Sequence, residues 1–111
     1  MIQATFKEQG EDMVAMTVEG HAMSAEYGQD LVCAAVSTLT ISMVNNLERL
    51  TGVRPLVEQE PEGGYLYCEL PQGLSDAQKQ VAQILMKNCY LALKEDVAKS
   101  APESLQVILI H

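Results

Sequence analysis

Polar and apolar residues alternate from the start of the chain. Ile2, Ala4 and Phe6 are separated by Gln3, Thr5 and Lys7, and Val14, Met16 and Val18 resume the alternation up to Glu19. Period two is the mark of a half-buried strand. The polar run Glu8-Gln9-Gly10-Glu11-Asp12 between them predicts a hairpin turn. Gly20 ends the second strand, and no period is visible from Ala22 to Gln29. Asp30 is a good N-cap. Beyond it Val32, Val36, Leu39, Met43, Leu47 and Leu50 recur at steps of three and four. Such spacing predicts one face of a helix of roughly 20 residues, ending before Gly52.

The second half repeats the scheme. Pro55 opens a strand over Leu56–Glu60, Pro61-Glu62-Gly63-Gly64 turns it, and Tyr65–Leu70 returns with Leu66, Cys68 and Leu70 on one face. Ser75-Asp76-Ala77-Gln78 is a capping box. It starts a helix running toward Lys99, with Val81, Ile84, Leu85, Asn88, Leu91 and Ala92 as its apolar side and Pro102 beyond its end. Leu105–Ile110 is almost continuously apolar, which predicts a strand covered on both faces. The order ββαββαβ implies one α+β domain over residues 1–111: two layers, a five-stranded mixed sheet and two helices on one of its faces. The other face is left uncovered, and Ile108 and Ile110 add to it. A second copy of the chain is expected to cover part of it, giving a homodimer.

Composition narrows the class. Hydrophobic residues make up 48% and charged residues 20%, as in ordinary globular proteins, while one Phe, four Tyr and no Trp leave an aliphatic core with six Met as fillers. No apolar run approaches the roughly 18 residues needed to cross a bilayer. Met1–Lys7 lacks the layout of a signal peptide. A cytoplasmic protein with no membrane partner is expected. Cys33, Cys68 and Cys89 cannot all pair and none lies in a CxxC, which favours a reducing compartment and argues against a structural zinc. Met13, Met16, Met23 and Met43 form no soft-ligand cluster, so no metal or cofactor is expected. The net charge is −8, from 15 acidic and 7 basic residues. Without a cluster of Lys and Arg, direct nucleic-acid binding is disfavoured. An acidic surface suits a basic partner, although acidity also serves solubility alone.

Chemistry gathers between Gly20 and Ser37. His21 stands at a strand exit and Cys33 in the expected first turn of the helix. There, free N–H groups and the dipole favour a thiolate and can hold an oxyanion. His21 can take the thiol proton if the loop folds the strand end against the helix start. Ser37, four residues after Cys33, shares its helix face, with Cβ atoms within about 6 Å. Asp30 complicates the picture, since a carboxylate three residues before a thiol raises its pKa unless it orients His21 or stays bonded to backbone amides. Residue types alone leave a second set of readings open. Cys33 can be a small buried hydrophobe, His21 a turn residue, Asp30 only a cap and Ser37 a packing hydroxyl. Cys68 and Cys89 read as core.

The string Gly20-His21-Ala22, then Gly28 and Asp30, then Val32-Cys33-Ala34-Ala35-Val36-Ser37 closely resembles the signature of the ribosomal-processing cysteine proteases called Prp. The length, the acidic balance and the element order are similar along the whole chain. The resemblance implies a cytoplasmic, homodimeric protease. It would remove the N-terminal extension of a basic large-subunit ribosomal protein, the twenty-seventh of that subunit, during ribosome maturation. It also implies Cys33 as nucleophile, His21 as base, Asp30 and Ser37 in support, and a glycine-bounded loop with Gly20, Ala22 and Gly28 as a mobile cover over the substrate. Two rivals remain at this stage: a non-catalytic acidic dimer that binds a ribosomal protein or assembly factor, and a thiol redox sensor.

Overall fold

The computed structural model describes residues 1–20 and 27–111, residues 27–30 by their backbone only. The hairpin β1 (Ile2–Gln9) and β2 (Asp12–Glu19) leads to helix α1 (Tyr27–Thr51). A second hairpin, β3 (Leu56–Gln59) and β4 (Tyr65–Glu69), leads to α2 (Asp76–Leu91), which runs on as a π-helical segment, Ala92–Ala98, before β5 (Leu105–Ile110). The strands form one sheet in the order β3-β4-β2-β1-β5. All pairs are antiparallel except β1 with β5, which is parallel, so the sheet is mixed as expected.

Alternation decides which side of the sheet is buried. The register sets Ala4 opposite Val18, Phe6 opposite Met16 and Met16 opposite Cys68, all on one face. Ile2 and Leu105 extend that face toward β5. Both helices pack there: Val36, Met43 and Leu47 of α1 and Ala82, Met86 and Cys89 of α2 are buried in the same cluster. Tyr90 meets Phe6 edge to face at 5.3 Å between ring centroids, the favoured geometry for an aromatic pair. The β1–β2 register shifts between Lys7 and Glu8, which brings Met13 into the core.

The helices depart from expectation in instructive ways. α1 begins at Tyr27, so Gly28 and Asp30 lie inside it rather than in a loop or at its cap. At its far end Leu47 is buried but Leu50, expected on the same apolar face, is 62% exposed. Thr51 closes it, and the Gly52 N–H returns to the Glu48 carbonyl at 2.8 Å with φ 77°. The capping box of α2 is present: Ser75 Oγ accepts from Gln78 N at 3.1 Å, and Gln78 Oε1 accepts from Ser75 N at 2.9 Å. The buried side of α2 is Ala82, Met86 and Cys89, continued by Leu93; of the expected stripe Leu85 packs against this core, half-buried, while Ile84, Asn88 and Leu91 do not. Ile84 and Leu91 face outward, 69% and 51% exposed.

Two further expectations are corrected. β5 is an edge strand, with Gln106 and Ile110 exposed, so its apolar run is not covered on both faces within one chain. The stretch Leu31–Thr51 is long and apolar enough to cross a membrane by length and composition. Alanines and neutral Ser, Thr and Asn among its aliphatic residues keep its mean hydropathy high without a continuous apolar run. In this fold its Val36–Met43–Leu47 stripe is core.

Candidate active site

Cys33 is the seventh residue of α1, nearly two turns from its start. This corrects the placement in the first turn. A helix dipole acts mainly on the terminal turn, and an amide this far into a helix is already hydrogen-bonded along the ladder. The helix start is therefore a poor source of both thiolate stabilisation and oxyanion donors at Cys33. Helical periodicity does what the spacing predicted: half-buried Cys33 and exposed Ser37 line the same cleft, of about 280 Å³. Between them Val36 turns into the core, and Thr40 Oγ1 donates to its carbonyl at 2.8 Å.

The opposite wall comes from residues that, Gly20 apart, the sequence did not single out for the site. Ile2 and Gly20 contribute from the ends of β1 and β2, and Gln59, Gly64 and Tyr65 from the second hairpin. Gly20 and Gly64 are tied together, the Gly20 N–H donating to the Gly64 carbonyl at 2.9 Å. Gly20 has φ 93°, and a Cβ there would stand 2.4 Å from the Met1 carbonyl oxygen. Its glycine is thus needed for close packing against β1, besides any part it has in a loop. The Gly63-Gly64 pair was legible only as a turn. Nothing in its residue types announces that the turn closes on the helix thiol.

His21 and Ala22 fall outside the described residues, as does the side chain of Asp30. Among the described residues no group of three or more His, Cys, Asp or Glu is placed to hold a metal ion. The other two thiols are sealed in the core. Burial pushes the Cys68 thiol up to about 11 and, with Cys68 as a second cause, Cys89 up to about 12. Both are held protonated at neutral pH and shielded from reagents, which leaves Cys33 as the thiol that opens onto a cleft.

A two-layer α+β domain that presents one helix thiol in a cleft, and hides its others, has the layout of a thiol-dependent enzyme. Comparison with known proteins makes the class specific. The family model described as Cysteine protease Prp matches residues 1–106. The ribosomal processing cysteine protease Prp of Bacillus subtilis is 36% identical over 108 residues, 96% of each chain. Its Staphylococcus aureus counterpart is 27% identical over 93 residues, 84% of this chain and 83% of that one. Among solved structures, a Streptococcus mutans protein superposes with a TM-score of 0.87 at 33% identity, covering 99% of this chain and 94% of that chain. The S. aureus protease Prp, crystallised with a substrate peptide, has the same fold at a TM-score of 0.82 and 24% identity, covering 98% and 99%. The chain belongs to the Prp family and is a cysteine protease.

Proposed function

We propose that this protease removes the N-terminal extension of a large-subunit ribosomal protein, the twenty-seventh, during ribosome maturation, with Cys33 as nucleophile and His21 as base. The observation that carries the reading is the placement of Cys33: of three thiols it is the one lining a cleft, while Cys68 and Cys89 are buried. The B. subtilis relative, similar over almost its whole length, is a ribosomal processing protease. That supports the substrate class.

In this scheme the Cys33 sulfur attacks the scissile carbonyl carbon as the imidazole of His21 takes the thiol proton. The tetrahedral intermediate collapses, His21 gives the proton to the departing amine, and a thioester remains on Cys33. Water, activated by His21, then releases the acid and restores the thiol. Because Cys33 lies well inside α1, ionisation rests on the imidazole rather than on the helix dipole. Asp30 and Ser37 support the pair, and the segment bounded by Gly20 and α1 covers the bound peptide. A charge of −8 steers a basic ribosomal protein toward the cleft, an effect that weakens in salt. The protein works in the cytoplasm as a homodimer. Exposed apolar residues such as Ile110 supply surface for the second copy to cover.

The test is incubation with the unprocessed ribosomal protein, followed by intact mass of both fragments. Wild-type protein should yield one cut, and Cys33→Ala should bind without cutting. Cleavage at an undiminished rate by Cys33→Ala would remove the nucleophile assignment.

A further inference from the structure

We propose that the outer edge of β3 takes up the substrate as an added strand, so that an extended main chain is fixed there before its scissile bond meets Cys33. The inference rests on the protease reading and deepens it. β3 ends the sheet, and all four of its residues are exposed. Sheet edges are ordinarily blunted by Lys, Pro, a bulge or a covering element. Leu56-Val57-Glu58-Gln59 carries none of the first three; its shortness and the one charge of Glu58 are what limit it as an edge. Among the described residues its two apolar side chains stand 57% and 41% exposed.

Its hydrogen-bonding groups face the right way. The Glu60 N–H donates to the Tyr65 carbonyl at 3.2 Å. Bonding alternates along an antiparallel pair, so the N–H and C=O of Val57 and Gln59 turn away from β4. A peptide laid along this edge would send alternate side chains to opposite faces of the sheet. A cavity waits on each side. Toward α1 lies one of about 310 Å³ with Val44, Pro55 and Val57 in its wall and the Glu48–Arg54 ion pair beside them. On the open face lies one of about 500 Å³ with Leu56, Glu58, Tyr67 and Glu69. The first cavity shares Ile41, Gln59 and Leu66 with the Cys33 cleft, so the edge adjoins the cleft that the thiol lines. β5, the other bare edge, lines neither this cavity nor the cleft. Main-chain pairing supplies affinity and the two cavities select side chains. The preferred segment is therefore extended, with apolar side chains toward α1 alternating with polar or basic ones beside Glu58 and Glu69.

The probe is a fluorescein-labelled peptide spanning the processed junction of the ribosomal protein, titrated into Cys33→Ala by anisotropy. A series N-methylated at single main-chain amides should lose affinity about three- to tenfold at every second residue of the docked segment. Gln59→Pro in the same background removes one outward N–H at a position where an edge strand tolerates proline. It should weaken the unmodified peptide similarly while far-UV circular dichroism stays unchanged. Losses without alternation, absence of binding, or Gln59→Pro that dissociates a dimer yet leaves peptide affinity intact would each overturn the proposal. Cleavage is scored separately in protein that retains Cys33. A peptide that binds with the alternating pattern but is never cut keeps strand addition and rejects this substrate. A peptide that is cut but shows no alternation does the reverse.

Discussion

Gln83 of α2 grips the main chain of Met13 with both ends of its amide: Met13 N donates to Oε1 at 2.7 Å, and Nε2 donates to the Met13 carbonyl at 2.8 Å. The pair joins residues 70 apart in sequence, where the register of the first hairpin shifts. A bulge leaves main-chain groups without ladder partners, and a side-chain amide is the right length and polarity to replace a strand there. The contact ties α2 to β2.

Removing that amide strands a donor and an acceptor in a part-buried place. Gln83→Leu, which keeps most of the volume, should cost about 1–3 kcal/mol. Urea denaturation reads the change directly. A midpoint equal to wild type would mean that water takes over both bonds at no cost.

Iodoacetamide at pH 7.5 should modify the native protein once, at Cys33, and leave Cys68 and Cys89 untouched until denaturant is added. Peptide mapping by mass spectrometry identifies the site. The expectation follows from burial, which both blocks access and holds the two core thiols protonated. A native Cys33 that resists the reagent while a core thiol reacts would reverse the assignment.

The same buried thiols make stability depend on alkaline pH. An unfolded thiol ionises near pH ~8.5, whereas folded Cys68 and Cys89 hold their protons to about 11 and about 12. Between those limits the folded chain binds more protons, so its stability falls as pH rises. Their contribution is complete below about pH 8.5 and drains away up to about 11 for Cys68 and about 12 for Cys89, at most roughly 1.4 kcal/mol per pH unit for each thiol. Tyr67, pushed up to about 12 mainly by its hydrogen bond to Glu69, acts in the same direction at higher pH. Denaturation curves at pH 7.5, 9 and 10 should show a falling midpoint, with a shallower fall in Cys68→Ala despite its lower starting stability. Equal slopes in the two proteins would contradict the linkage.

Gly20→Ala should destabilise the fold on the order of 2–4 kcal/mol, by combining a left-handed backbone penalty with a clash against main chain. The clash is with the Met1 carbonyl, which no side-chain rotation can relieve. Calorimetry should show a melting temperature lower by roughly ten degrees. An unchanged melting temperature would show that β1 gives way freely at its first residue.

Much of the architecture was legible because period two and helical period alternate cleanly along the chain. Both hairpins, the capping box at Ser75 and the end of α1 before Gly52 follow from local chemistry alone. The start of α1 did not, because Asp30 is so good an N-cap that the first turn from Tyr27 was read as loop. α2 misled for a different reason. Val81, Ile84, Leu85 and Leu91 make as good a stripe as Ala82, Met86, Cys89 and Leu93, and only the sheet's shape chooses between them. The site was half visible. Spacing placed Cys33 and Ser37 on one face, but the wall across from them is built from residues such as Gln59 and Gly64, ordinary until a non-local pairing brings them near.

One feature of the sheet bears on how this protein is made. β1 is paired on one side with its immediate neighbour β2 and on the other with β5, about a hundred residues later. The chain leaves the ribosome from its N-terminus, so the first strand waits with one side bare until β5 has been made. Completion of the sheet thus waits for its last strand in sequence, and a chain truncated before β5 would leave β1 as an unguarded, sticky edge.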